Sequence, residues 1–224
     1  MRRNSFVYAI TRFIGQQAFS LFYEIEIEGG AALPLKGPAI ILPKHQYWTD
    51  IPLVSFSFKF PLYFVAKIEL FQYAGIRSFL ELLGGVPVDR SQSIRTLSSM
   101  RSLLSLLKEG ERVVIFPEGT YVPSAVGPGK NRLIQMILNF QPVLKESIPF
   151  IPLGIRYGKR VGWRRRVEIR IGSPLFAEGE SDPDLLTRRM MGEIASLSRL
   201  PLGEKKSENA EGRTQGSALG VRSN

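Results

Sequence analysis

His45 is the chain's only histidine, and an aspartate follows it in His45-Gln46-Tyr47-Trp48-Thr49-Asp50. An imidazole whose ordinary pKa lies near neutrality is the default general base. A nearby carboxylate can accept its Nδ1–H, fix the tautomer and leave Nε2 free to take a proton from a hydroxyl. Taken alone, the pair is better read as an ordinary surface or core histidine beside an aspartate placed by chance. Three blocks downstream change that balance: Gly85-Val86-Pro87-Val88-Asp89-Arg90, Phe116-Pro117-Glu118-Gly119-Thr120 and Ile148-Pro149-Phe150-Ile151-Pro152-Leu153. Arg90 follows a short apolar run in a glycine-rich approach. Glu118, on a Pro-Glu-Gly turn, cannot bind phosphate itself.

What the chain lacks narrows the chemistry further. It has no cysteine, which excludes disulfides, a thiolate nucleophile and a Cys-ligated zinc. With one histidine, a zinc site would have to rest on carboxylates, so no metal or bound cofactor is expected. Any acyl chemistry must proceed without a cysteinyl intermediate. The formal charge of +10 calls for an anionic partner: nucleic acid, acidic lipid or a phosphorylated substrate. Residues 156–170 concentrate that charge, with Arg156, Lys159, Arg160, Arg164, Arg165, Arg166 and Arg170 against Glu168 alone, beside Tyr157 and Trp163. This segment reads either as a solvated hairpin or as a rim that meets phosphate groups at a membrane surface. No nucleic-acid motif accompanies the charge, so no specific nucleic-acid partner is expected.

The elements that must position these residues follow from periodicity. Residues 5–23 form an amphipathic helix whose apolar stripe is Phe6, Ile10, Phe13, Ile14, Ala18, Leu21 and Phe22. That stripe has two possible destinations, the protein core or a membrane interface. It is too interrupted for the roughly 18 apolar residues of a spanning helix. Glu24–Glu28 alternates as a strand, and Pro38–Pro43 is a buried strand that delivers Lys44 and His45. Thr49 or Asp50 then caps a helix through Val54. Further strands are read at 62–66, 86–88, 112–116, 148–156 and 167–171. Helices are read at 68–83 (interrupted near Gly75), 93–108, 130–139 and 182–197.

Strands alternating with helices predict an α/β fold, a mixed and largely parallel sheet flanked by helices, behind the N-terminal amphipathic helix. Residues at the C-terminal ends of such strands line the ligand crevice, which sets His45, Arg90 and Glu118 along one edge. The domain reading is a membrane-interface helix at 1–23, a folded domain at 24–200 and a polar disordered tail at 201–224.

The four blocks, in this order and spacing, resemble the motifs of the glycerolipid acyltransferases, the family of bacterial 1-acyl-glycerol-3-phosphate acyltransferases. The match runs from about residue 36 to 175. The resemblance implies an O-acyltransferase that moves a fatty acyl group from acyl-CoA or acyl carrier protein, as co-substrate, to the hydroxyl of a lysophospholipid. It implies His45 as the general base and Asp50 as its orienter, with Arg90 on the acceptor's phosphate. Glu118 would position the acceptor, through glycerol hydroxyls or by organising neighbouring cations. Gly119 and Thr120 would lie at the substrate, their backbone N–H groups candidates for the developing oxyanion. Pro152 is either a wall of the acyl pocket or plain core.

One position departs from the pattern. Family members commonly continue the third motif with an arginine, where this chain has Tyr121. Tyrosine brings one hydroxyl and no charge, so phosphate binding is weakened or moved. Lys67, Lys130 and Arg132 could restore the charge, or the acceptor is a different lysolipid. A non-catalytic protein that binds anionic lipid is the alternative from another class. The expected location is the cytoplasmic face of the cell membrane, peripheral or interfacial.

Overall fold

A computed structural model describes residues 3–30, 36–88, 94–144, 147–177 and 183–203. Asp89, Arg90 and residues 204–224 of the tail expected at 201–224 lie outside them. The described elements run α1 (Ser5–Phe22), β1 (Tyr23–Gly29), β2 (Ala39–Pro43), α2 (Asp50–Ser57), β3 (Tyr63–Lys67), α3 (Ala74–Leu82) and β4 (Gly85–Val88). They continue with α4 (Ile94–Lys108), β5 (Arg112–Val114), α5 (Asn131–Leu138), α6 (Gln141–Leu144), β6 (Phe150–Val161), β7 (Arg164–Ile171) and α7 (Pro183–Ser198). The strands form one seven-stranded sheet in the order β1-β7-β6-β2-β5-β3-β4. Every neighbouring pair is parallel except β6 and β7, which form an antiparallel hairpin.

The central strand shows why the sequence takes this form. Ala39, Ile40, Ile41 and Leu42 are wholly buried, as a strand covered on both faces must be. Ile40 and Leu42 join one core with Leu103, Leu107, Ile134, Ile137 and Ile194 of α4, α5 and α7. Ala39 and Ile41 join the other with Leu53 and Val54 of α2 and, at its border, Phe19 of α1. Each buried isoleucine or leucine contributes roughly 1.5–3 kcal/mol, so β2 is a firm base for the loop that follows it.

Several expectations shift. β5 stops at Val114 because Pro117 has no N–H to extend the ladder. β6 runs on to Val161, past the end expected at Arg156, because pairing with β7 holds a polar stretch that carries no hydrophobic signal. The break before α3 falls at Gln72 and Tyr73, ahead of Gly75. Neither Thr49 nor Asp50 caps α2 by a side chain; both side chains are used elsewhere, as described below. The tail does not begin at 201: Val126 N–H donates to the Pro201 carbonyl at 2.8 Å, and Gly203 N–H to that of Val126 at 2.8 Å.

The expected stripe of α1 faces away from the core. Tyr8 is buried, with its hydroxyl 2.8 Å from Ser55 Oγ, and Gly15 and Phe19 lie against Phe56. Phe6, Phe13, Ile14, Leu21 and Phe22 are each more than half exposed, Phe6 at 72%. The helix therefore has apolar groups on both faces, and the one carrying Tyr8 and Phe19 is turned inward. The basic segment also differs from its sequence reading. It is the β6–β7 hairpin, and β1 lies alongside it with Glu24, Glu26 and Glu28. Arg166 pairs with Glu26 at 2.6 Å and Arg170 with Glu28 at 3.0 Å. Its tip stays open, with Lys159, Arg160 and Trp163 exposed.

Candidate active site

The site grows from the end of β2. Lys44 N–H donates to the Leu153 carbonyl at 2.9 Å, one ladder step past Pro43, and the chain then turns away from the sheet. Within that turn Asp50 is wholly buried and accepts from the loop that precedes it. Its Oδ2 accepts Tyr47 N–H at 2.7 Å, Gln46 N–H, and His45 Nδ1–H at 3.1 Å. Its Oδ1 accepts the Tyr157 hydroxyl at 2.6 Å. A carboxylate only accepts, so Nδ1 carries the imidazole proton and Nε2 is left as the proton acceptor. The His45 side chain keeps 12% of its surface open. One face of the ring stacks on Phe116, with centroids 3.8 Å apart, and Tyr121 leans on it at 4.4 Å.

A second network holds the same loop by its main chain. Glu118 is buried, and its oxygens accept His45 N–H at 2.8 Å, Gly127 N–H at 2.7 Å and the Lys44 ammonium at 2.9 Å. Lys44 also donates to the Val122 carbonyl at 2.7 Å and the His45 carbonyl at 3.0 Å. Burial lowers the Lys44 pKa, opposed by the hydrogen bond and charge of Glu118. Removing one partner of such a pair leaves an uncompensated buried charge, a cost of about 3–5 kcal/mol. Gly119, at φ 71°, makes the turn that aims Glu118 inward. Glu118 thus holds a cation, the Lys44 ammonium, within the fold.

The candidate residues fall into three groups. His45, Asp50, Glu118 and Gly119 converge. Lys67 is exposed at the end of β3, in register with Val88 two residues before Arg90. Lys130 is tied by its N–H to the Pro117 carbonyl at 2.9 Å with its side chain exposed, and Thr120 is also exposed. Pro152 is not brought to His45. It pairs with Leu42 in the core, and its ring lies beside Gly172. The Gly119 N–H is engaged with the Phe116 carbonyl at 3.1 Å.

Sequence reasoning missed Lys44, Gln46 and Tyr157. Gln46 Nε2 donates to the Ile155 carbonyl at 2.9 Å, so β6 holds this segment at Leu153, Ile155 and Tyr157. The signal for Lys44 was available: a lysine directly after a fully apolar central strand must be buried and must find a carboxylate. Among the described residues, no group of three or more metal-ligating side chains is present.

A family model described as Acyltransferase matches residues 24–156. The 1-acyl-sn-glycerol-3-phosphate acyltransferase of Bacillus subtilis is 31% identical over 144 residues, 64% of this chain and 69% of that protein. Its counterpart from Pseudomonas aeruginosa is 31% identical over 163 residues, 69% of this chain and 60% of that protein. The crystal structure of PlsC, the 1-acyl-sn-glycerophosphate (LPA) acyltransferase of Thermotoga maritima, shares the fold. Its TM-score is 0.69 at 24% identity, covering 88% of this chain and 80% of that one.

Proposed function

The chain belongs to the acyltransferase family, and from that premise we propose that it acylates the free hydroxyl of 1-acyl-glycerol-3-phosphate, giving phosphatidic acid. The donor is the thioester of acyl-CoA or acyl carrier protein. The observation that carries this reading is the His45–Asp50 contact at 3.1 Å with Nε2 left to accept. Nε2 takes the hydroxyl proton as the oxygen attacks the thioester carbonyl. Asp50 steadies the imidazolium that forms. The tetrahedral intermediate collapses with loss of thiolate, to which the imidazolium returns the proton. General base catalysis of this kind is worth roughly 10²–10⁴-fold.

The acceptor's phosphate would meet the cationic side of the sheet edge, where Lys67 stands beside the strand that leads to Arg90 and Lys130 stands beyond the third motif. With Tyr121 packed on the imidazole, the position of the missing arginine is taken by a ring that shields His45 from water. That arrangement favours transfer over hydrolysis. A panel of lysolipids offered with a labelled acyl thioester tests the acceptor by mass spectrometry of the products. His45→Ala should fold normally and lose transfer by at least about a hundredfold; near-normal turnover in that variant overturns the reading.

We also propose that the enzyme works at an anionic membrane surface, held by the exposed face of α1 and the hairpin tip. Support comes from the apolar stripe, from Trp163 at 78% exposure and from the neighbouring Lys159 and Arg160. The two regions are physically joined, because Trp163 Nε1–H donates to the Leu21 carbonyl at 3.0 Å at the end of α1. No described helix is long and apolar enough to cross a membrane. The triple variant Phe6→Ser, Phe13→Ser, Leu21→Ser spares Tyr8 and Phe19. It should weaken sedimentation with anionic phospholipid vesicles by roughly a hundredfold or more, with the melting temperature held. Unchanged sedimentation would remove this role from α1.

A further inference from the structure

We propose that the Tyr157 phenol is a positioning residue of the acyl transfer: it fixes the Asp50 carboxylate, and through it the ring of His45, to the central sheet. The proposal rests on the His45 reading above. Three of the four hydrogen bonds to Asp50 come from residues 45–47, the same loop that carries the histidine. Such bonds move with the loop and cannot locate it relative to the rest of the protein. The fourth, from Tyr157, comes from β6, across 107 positions of sequence. It is also the donor to Oδ1, so it sets the rotation of the carboxylate about its own axis.

The phenol is itself held. Its proton goes to Asp50, an acceptor only, so the Thr49 hydroxyl donates to the Tyr157 oxygen at 2.6 Å. The ring is fixed edge-on by Tyr47 at 5.0 Å and by Tyr23 at 6.4 Å, and the Arg165 guanidinium lies over it at 5.0 Å. Burial and the adjacent Asp50 both push the Tyr157 hydroxyl's pKa up, so it stays a donor. Two residues earlier on the same strand, the Ile155 carbonyl accepts Gln46 Nε2–H. A main-chain contact at Ile155 and a side-chain contact at Tyr157 thus tie the histidine's loop to β6, and the Tyr157 contact reaches the dyad itself.

Tyr157→Phe keeps the ring and removes the donor. Because the protein has a single histidine, its imidazole Nδ1–H gives one NMR resonance with no assignment problem. In the wild type it should lie downfield, as a ring N–H held on a carboxylate does. In Tyr157→Phe it should shift or broaden, and kcat should fall roughly tenfold, with KM for lysolipid and thioester within about twofold. A melting curve establishes how much of the variant is folded. A lower melting temperature with kcat per folded enzyme unchanged and the resonance unmoved would make Tyr157 a packing residue and overturn the proposal. If the wild type acylates no lysolipid in the panel, the function reading fails. The resonance then decides the positioning role alone: movement supports it and constancy overturns it.

Discussion

Two buried carboxylates flank His45, and they are neutralised in opposite ways. Glu118, in the turn after β5, shares its oxygens with the Lys44 ammonium and reaches the histidine only through its backbone N–H. Asp50, at the start of α2, is held by N–H and O–H donors, and its ion-pair partner among the described residues is His45 itself. A buried charge that already has its cation offers little to a second one. A buried charge whose direct contacts are mainly neutral dipoles favours whatever positive charge arrives beside it. The proton taken from the attacking hydroxyl creates that charge on the imidazole. The Glu118 network therefore builds the loop, and the Asp50 network supplies the electrostatics of the reaction.

Asp50→Asn breaks the comparison on its chemical side and has the largest expected effect. The amide cannot balance an imidazolium, and its NH₂ faces groups that are themselves donors. Transfer should fall by roughly 10³–10⁴-fold, the scale set by amide replacement of a triad aspartate. The fold should largely survive, because three of the four donors lie within the short loop 45–47. Kinetics beside a thermal melt check both halves, and a variant within tenfold of wild type would deny Asp50 its role. Glu118→Gln breaks the other side. It strands Lys44 in the core, so stability should drop by about 3–5 kcal/mol in denaturant unfolding. Activity should be lost in proportion to the unfolded fraction. If Glu118→Gln instead melts like wild type and raises only KM, Glu118 touches the acceptor and the division between the two carboxylates is wrong.

How much of this was legible follows from sequence separation. His45 and Asp50 lie in one turn, so spacing alone could pair them, and the α/β order could place them at a strand end. Lys44 and Glu118 are 74 positions apart, and their contact depends on β2 and β5 being neighbours, which alternation of elements does not specify. Tyr157 was hidden for a different reason. It lies in the most basic stretch of the chain, where charge drew the reading toward the surface, although β6 turns its ring inward. The same limit applied to the glutamates of β1, whose partners in β7 became visible only with the strand order. In α1 the helical period was clear. Direction was not, because Tyr8 and Phe19 on one face and Phe6 and Phe13 on the other give the helix two apolar sides.

The smallest effect separates Asp50's neutral donors from one another. Tyr157's pKa is raised in the folded protein by burial and by Asp50, so folding favours the protonated phenol. The stability it contributes is fully present below its unfolded value of 10.0 and declines as pH rises above that, because the unfolded phenol can then ionise and the folded one resists. Lys44, its pKa lowered by burial, acts in the opposite direction, gaining stability as pH rises toward its unfolded value of 10.5. Comparing Tyr157→Phe with wild type cancels Lys44, which both proteins keep. The stability difference between them should be constant, about 1–2 kcal/mol, from neutral pH to about pH 9.5. It should narrow above pH 10 as the wild type alone loses the contribution. Urea unfolding at a series of alkaline pH values measures it, and a difference that stays flat through pH 11 would mean the phenol is not held on Asp50.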